Sequence, residues 1–306
     1  MVNDSPNIAI ITDDPGWHGQ QLKQSLRKRG YQPSFVRLQE CHFNLYTDRA
    51  DIQLPGFDSL PAAVFVRGVP GGSLEQVVYY LDILHGLEYL GVPVFNNTRA
   101  LERSVDKGMT SFLLKTNNIP TPDSIVSSDL HYINNKLREA LVQQKKLVLK
   151  PIFGSQGKGV QLIESQSQYI DFDEMHGVMY LQEFIDAGED VGVDYRVFVI
   201  GDEVISCMKR TGESWITNVA QGGKVESVEL DETIQQLALE AVRVTGLEYS
   251  GVDLIRDKQG KFWVTEVNSV PAWRGLQQTT SLNLSEIIVD KFLDHCQLAL
   301  NYDQRH

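Results

Sequence analysis

Cysteine is scarce in this chain: Cys41, Cys207 and Cys296 are three among 306 residues, far apart and without a Cys-x-x-Cys pair. An odd, scattered set signals neither a disulfide framework nor a zinc site. No apolar run approaches the roughly 18 residues of a membrane span, and Met1-Val-Asn-Asp4 lacks the basic start of a secretory signal. These absences lead us to expect a soluble, cytoplasmic protein with no membrane partner. Positive charge is in deficit too, with 28 Lys and Arg against 40 Asp and Glu and a net charge of −12. That balance argues against bulk nucleic-acid binding, although a local basic groove could still hold a phosphorylated ligand. Internal repeats and low-complexity segments are absent.

What is present is ordinary globular composition, 42% hydrophobic and 22% charged, over a length sufficient for two or three compact units. Up to about Asn97 the pattern alternates strand and helix. Ile8–Ile11, Ser34–Leu38, Ala62–Val66 and Val92–Phe95 read as strands. Gly19–Arg29, closed by Gly30, reads as a helix. A second helix opens at Ser73-Leu-Glu-Gln76, which has capping-box spacing, and carries Leu74, Val77, Val78, Leu81, Leu84 and Leu87. Such alternation predicts an open parallel sheet with ligands at the carboxyl ends of its strands, where Asp13, Asp14 and Arg67 fall. One helix is expected from Asn96 to about Asn117, ended by Ile119-Pro-Thr-Pro122.

Two later stretches carry the chemistry. Pro151-Ile-Phe-Gly-Ser-Gln-Gly-Lys-Gly159 joins two strand-like runs with three glycines, Ser155 and Lys158. Its spacing fits neither a Walker loop nor a dinucleotide fingerprint. It is either a phosphate lid, whose backbone N–H groups wrap a polyphosphate, or a plain hairpin turn. Ser250 to Asn268 reads as a second hairpin, turning at Asp257-Lys-Gln-Gly260. If Asp257 faces Gly260, Asp253 lies opposite Val264, and Asp253, Glu266 and Asn268 share one face. That face is either solvated or a seat for a hard cation such as magnesium.

In order along the chain stand Lys150, Pro151 with the Gly154–Gly159 loop, Gln182-Glu-Phe-Ile185, Asp194-Tyr-Arg196, Arg210, Asn218, Gly251-Val-Asp253 and Glu266-Val-Asn268. Together they resemble the RimK-like group of ATP-grasp ligases over about Thr98 to Leu298. The resemblance implies an α/β protein, α+β in its ligase part, in which an open parallel-sheet domain (1–97) precedes an ATP-grasp fold. That fold would divide into a central lid (98–180) and a C-terminal part with the metal site (181–306). Lys107 and Lys150 would hold the α/β-phosphates of ATP, under a loop containing Gly154, Ser155 and Gly157. Glu183 and Phe184 would offer hinge backbone to adenine, and Asp194 would sit near the ribose. Asp253, Glu266 and Asn268 would bind two magnesium (or manganese) ions, with Glu266 shared. Arg210 and Asn218 would line the γ-phosphate and acyl group. The implied reaction turns a carboxylate into an acyl phosphate, which an amino acid's amine then converts to an amide. Its partners are ATP, a carboxylate acceptor and an amino acid, with room for a homo-oligomer.

Members that modify ribosomal proteins carry arginines where this chain has Ile216-Thr217 and Gln221. They also follow Glu-Val-Asn with Ser-Pro-Gly, where this chain has Ser269-Val-Pro-Ala-Trp-Arg-Gly275. Together with Arg67-Gly-Val-Pro-Gly-Gly-Ser73, the Trp-Arg variant resembles the glutamate ligases of tetrahydromethanopterin-type coenzymes. A small carboxylate acceptor is therefore expected, with Arg210 and Arg274 pairing its acid and Trp273 offering a flat surface to a ring. The alternatives are modification of a protein C-terminus, and a nucleotide sensor that has kept the fold.

Overall fold

Short apolar runs near the N-terminus form one sheet, as their alternation with helices predicts. The computed structural model describes residues 5–46, 50–154, 159–165, 175–188, 192–217 and 222–298. Its elements begin with β1 (Asn7–Ile11), α1 (Gly16–Lys28), β2 (Gln32–Val36), β3 (His42–Asn44), β4 (Asp51–Gln53), β5 (Ala63–Val66), α2 (Leu74–Tyr89), β6 (Val94–Phe95) and α3 (Thr98–Val105). There follow α4 (Lys107–Thr116), β7 (Ser124–Ser127), α5 (Leu130–Val142), β8 (Leu147–Pro151), β9 (Gln161–Ile163), β10 (Met179–Glu183), β11 (Val193–Ile200), β12 (Glu203–Thr211) and β13 (Lys224–Ser227). The chain closes with α6 (Glu232–Thr245), β14 (Tyr249–Arg256), β15 (Phe262–Asn268), α7 (Arg274–Gln277) and α8 (Leu284–His295). Among the described residues no helix is long and apolar enough to cross a membrane.

Contacts group the chain into two units. The first comprises 1–102, 247–249 and 270–306, and the second 103–246 and 250–269. This division differs from the expected 1–97, 98–180 and 181–306, because α8 packs with the N-terminal segment. Its Leu284, Ile288, Val289 and Phe292 are fully buried. Ser25 Oγ on α1 meets Ser285 Oγ at 2.9 Å, and Arg29 pairs with Asp290. Apolar burial supplies most of that attachment, since exposed ion pairs add little.

In the first unit the sheet runs β2-β1-β5-β6, with every pairing parallel. Ile8, Ala9, Ile10, Val64 and Phe65 are fully buried, so continuous apolar runs mark strands covered on both faces. The capping box of α2 is present: Ser73 Oγ accepts from the Gln76 N–H and Gln76 Oε1 from the Ser73 N–H. Its buried face differs from the expected one, being Tyr80, Ile83, Leu84 and Leu87, while Leu74 and Val78 are 76% and 46% exposed.

Asn96 pins the segment that returns to this unit. Its Oδ1 accepts from the N–H groups of Glu248 and Tyr249 at 2.7 and 2.8 Å, and its Nδ2 donates to Tyr249 O at 2.9 Å. Tyr249 thereby stacks on Phe95 at 5.4 Å between ring centroids. Trp273 corrects an expectation. It is 0% exposed, with the Arg67 guanidinium 4.8 Å over its ring, so it presents no free surface to a ligand ring.

The second unit holds two sheets: β7-β10-β8-β9, antiparallel at each pairing, and β13-β12-β11-β14-β15, antiparallel in its β13–β12, β12–β11 and β14–β15 pairings. The single helix expected to Asn117 is two, because Asp106 leaves the helical conformation and caps α4 through the Met109 N–H at 3.0 Å.

Asn96→Ala would leave two buried N–H groups and a carbonyl without partners. We predict a loss of roughly 3 kcal/mol in stability by chemical denaturation. A loss below about 1 kcal/mol would mean that Tyr249 is held by ring packing alone.

Candidate active site

Lys150 is the penultimate residue of β8, and the register sets it opposite Tyr180 on β10, with Val148 opposite Gln182. All four side chains therefore share a face. Lys150 Nζ donates to Gln182 Oε1 at 2.7 Å and Gln182 Nε2 to Tyr180 Oη at 2.8 Å, and that hydroxyl lies 2.8 Å from Ser111 Oγ. This chain of partners orients the ammonium. Lys107, the first residue of α4, donates to the Gly154 carbonyl at 2.8 Å. Burial holds both ammonium groups below the usual lysine range, and in each case the charge of Glu266 opposes that fall.

Beside them, side chains from adjacent strands interlock. Arg196 on β11 pairs through two nitrogens with Asp253 on β14. Arg210 on β12 pairs with Asp194 through two bonds of 2.6 Å and reaches Asp253 Oδ2 at 3.0 Å. Thr217 Oγ1 donates to Asp194 Oδ2 at 2.6 Å. Burial would raise Asp253, but Arg196 and Arg210 outweigh it and hold the carboxyl low. Asp194 ends up raised, since its burial exceeds what Arg210 returns. Thr217 can approach because Gly212 and Gly192 lie under the turn: a Cβ on Gly212 would come within 2.0 Å of Ile216 O, and one on Gly192 within 2.5 Å of Ser214 O.

The β14–β15 hairpin departs from the simple count. Its turn takes an additional residue, so Arg256 pairs with Phe262, and a bulge between Asp253 and Leu254 shifts the register again. Asp253 thus lies directly opposite Glu266 rather than Val264, and Gly251 opposite Asn268. Two one-residue shifts cancel in parity, so Asp253, Glu266 and Asn268 still share a face. The direct opposition brings Asp253 and Glu266 closer than the diagonal would. Asn268 Nδ2 donates to Gly251 O at 3.2 Å, which leaves its Oδ1 as the donor for a cation.

These groups surround a cavity of about 140 Å³ whose lining includes Lys107, Lys150, Gly154, Glu183, Phe184, Asp194, Arg210, Asp253 and Glu266. Over residues 104–292 the chain matches the RimK-like ATP-grasp domain. It is similar to the tetrahydromethanopterin:alpha-L-glutamate ligase of Methanococcus maripaludis, 32% identical over 95% of this chain and 99% of that one. It is also 31% identical to a probable alpha-L-glutamate ligase of Legionella pneumophila, over 92% of this chain and 94% of the relative. The chain belongs to the RimK-like ATP-grasp family. Its fold also matches that of the ATP-grasp ligase PsnB, solved with a minimal precursor, Mg and ADP: TM-score 0.70, 21% identity, covering 95% of this chain and 98% of that one.

As a RimK-like ATP-grasp protein the chain is an ATP-dependent ligase. Several anticipated residues stand differently from what was expected. Both oxygens of Asp194 are engaged by Arg210 and Thr217, so it is a holder of Arg210 and not an open partner for a ribose. The N–H of Glu183 donates to Asp123 O and that of Phe184 to Lys146 O, which leaves carbonyls and apolar surface for adenine. Ser155, Gly157 and Asn218 lie outside the described residues. Sequence reasoning gave no site role to Gln182, Arg196, Trp215 or Thr217. Arg196 was signalled by its two-residue spacing from Asp194, whereas Trp215, edge-on to Phe184 at 6.2 Å, had no local signal.

The donor set suits magnesium. Glu266 makes no ion pair among the described residues, and no three His, Cys, Asp or Glu side chains converge there. A hard ion that keeps its waters fits one open carboxylate and an amide oxygen, with Asp253 beside them. The thiols play no part: burial pushes Cys41, Cys207 and Cys296 up to about 12.

ATP should favour the charged forms of Lys107 and Lys150, so binding should take up protons at alkaline pH. Its affinity should fall as pH rises through the lowered lysine values, earlier than for an exposed lysine near about 10.4. Calorimetry in buffers of different ionisation enthalpy measures this. Binding without proton uptake at alkaline pH would remove these lysines from the phosphates.

Proposed function

We propose that this ligase joins glutamate to a carboxylate-bearing small molecule of the pterin-coenzyme type. The supporting observation is the near full-length likeness to a tetrahydromethanopterin:alpha-L-glutamate ligase, in a chain whose cleft gathers two half-buried lysines, Arg210 and Glu266, which makes no ion pair among the described residues. Lys107 and Lys150 hold the polyphosphate, and Phe184 with Trp215 flanks the base. Arg210, fixed by Asp194, faces the transferring phosphoryl group. The acceptor's carboxylate oxygen attacks the γ-phosphorus, ADP leaves, and an acyl phosphate forms. The glutamate amine then attacks the acyl carbon, so a C–N bond forms, the C–O bond to phosphate breaks and the amine loses a proton.

Glu266 and Asn268 would hold magnesium, which when bound supplies charge neutralisation on the phosphate oxygens, whereas Asp253, expected as a third ligand, has both oxygens paired with Arg196 and Arg210 and positions those arginines instead. The remaining requirement is position, because phosphoryl transfer asks little covalent chemistry of the protein. No nucleophilic side chain is needed, in keeping with the buried thiols.

ADP release should need both glutamate and a carboxylate from a panel that includes pterin acids. Glu266→Gln should keep its circular dichroism and lose activity by at least about a hundredfold, the scale of one lost electrostatic contact to a transferring group. Near-normal turnover in the folded variant would remove Glu266 from the site. Stimulation by a purified ribosomal protein, with every small carboxylate inert, would replace the acceptor class.

A further inference from the structure

The first unit carries a second constellation, outside the cleft described above and so far without a role. Arg67 follows β5 directly and His18 lies in the first turns of α1, so both stand near the carboxyl ends of parallel strands. Arg67 Nη1 donates to Tyr249 Oη and to Pro271 O, both at 3.1 Å, while its plane lies over Trp273. His18 packs edge-on against the same indole at 4.6 Å. Its Nε2 accepts the backbone N–H groups of Trp273 and Arg274, at 3.1 and 3.2 Å. A nitrogen accepting two N–H bonds must carry a lone pair, so the imidazole is neutral with its proton on Nδ1. Among the described residues that N–H has no acceptor.

The charge here is unbalanced. Arg67 and Arg274 form no ion pair among the described residues, in a chain with twelve more acids than bases. Asp14, just before α1, forms no ion pair among the described residues and accepts the Gly16 N–H at 3.0 Å. Burial, then Arg67, then Arg274 push His18 down to about 4, so both guanidinium charges are felt at one imidazole.

We propose that Arg67, Arg274 and the Nδ1–H of His18 form a binding site for an oxyanion, a carboxylate or phosphate group of a small molecule. Arg67 is a preset donor, since three partners fix its plane and its remaining N–H groups keep their fork geometry. Arg274 is exposed and closes on the ligand. In naming the occupant's class the proposal rests on the ligase reading: it is a small molecule that bears a carboxylate or phosphate, as glutamate and the proposed acceptor do.

The test is calorimetric titration of the full chain with inorganic phosphate, glutarate and L-glutamate, each with and without saturating magnesium and a non-hydrolysable ATP analogue. At least one oxyanion should bind with the analogue present, and Arg274→Gln should weaken it about tenfold or more, the scale of a charged hydrogen bond. The melting temperature and analogue affinity of that variant should stay at wild-type values. Preference for L-glutamate would place the amino acid here, and preference for glutarate or phosphate the acceptor; both support the site. No binding by any of the three, equal binding to Arg274→Gln, or displacement by the analogue would overturn it. The readout is binding without turnover. Glutarate binding in a chain that never releases ADP would therefore keep the site and sink the ligase reading, and the reverse pattern would do the opposite.

Discussion

The active-site cleft depends on a lattice of two arginines and two aspartates buried among β12, β11 and β14. Its net contribution to stability is small, because taking four charges out of water offsets most of their mutual attraction. Removing one member is another matter, since the partner left alone is a buried unpaired charge, at a cost of about 3–5 kcal/mol. What the lattice supplies is position. Planar guanidiniums bound through two nitrogens fix the carboxylates that bind them. With Asp194 and Asp253 committed to arginines, Glu266 remains the carboxylate open to a cation. Roles that look interchangeable in a list of acids are thus separated by their partners.

The lysines present the opposite situation. Lys107 and Lys150 are desolvated and held below their usual range, and the only acid opposing that shift in both is Glu266. A polyphosphate entering the cleft meets cations that are already partly desolvated and whose positions are set by Gly154 O and Gln182. Much of the ordering that binding would otherwise require is done by folding. An acidic chain can therefore bind a strongly anionic ligand, because local potential depends on what is nearby and unpaired, not on the total of −12.

Much of this was legible locally. The capping box at Ser73 follows from residue types three positions apart. So did the shared face of Asp253 and Glu266, although the pairing was misjudged. Parity is robust where register is not, because a turn one residue longer and a one-residue bulge cancel when only the face is asked for. The missed separation of α3 from α4 has a local cause as well: Asp106 is an ordinary polar residue until its carboxylate caps the second helix.

What the sequence concealed is long-range partnering. The role of Asp194 changed once Arg210 and Thr217 were beside it, and the role of Trp273 changed once Arg67 covered its ring. Arg67 and Tyr249 are 182 positions apart, and no periodicity relates them. A Trp-Arg pair after the hairpin suggests a stacking surface and a carboxylate clamp, and the suggestion is half right for a physical reason. An indole has two faces and a large apolar area, so folding takes it for the core. A guanidinium is costly to bury alone, so Arg274, with no acid to neutralise it among the described residues, is left at the surface where an anion can reach it.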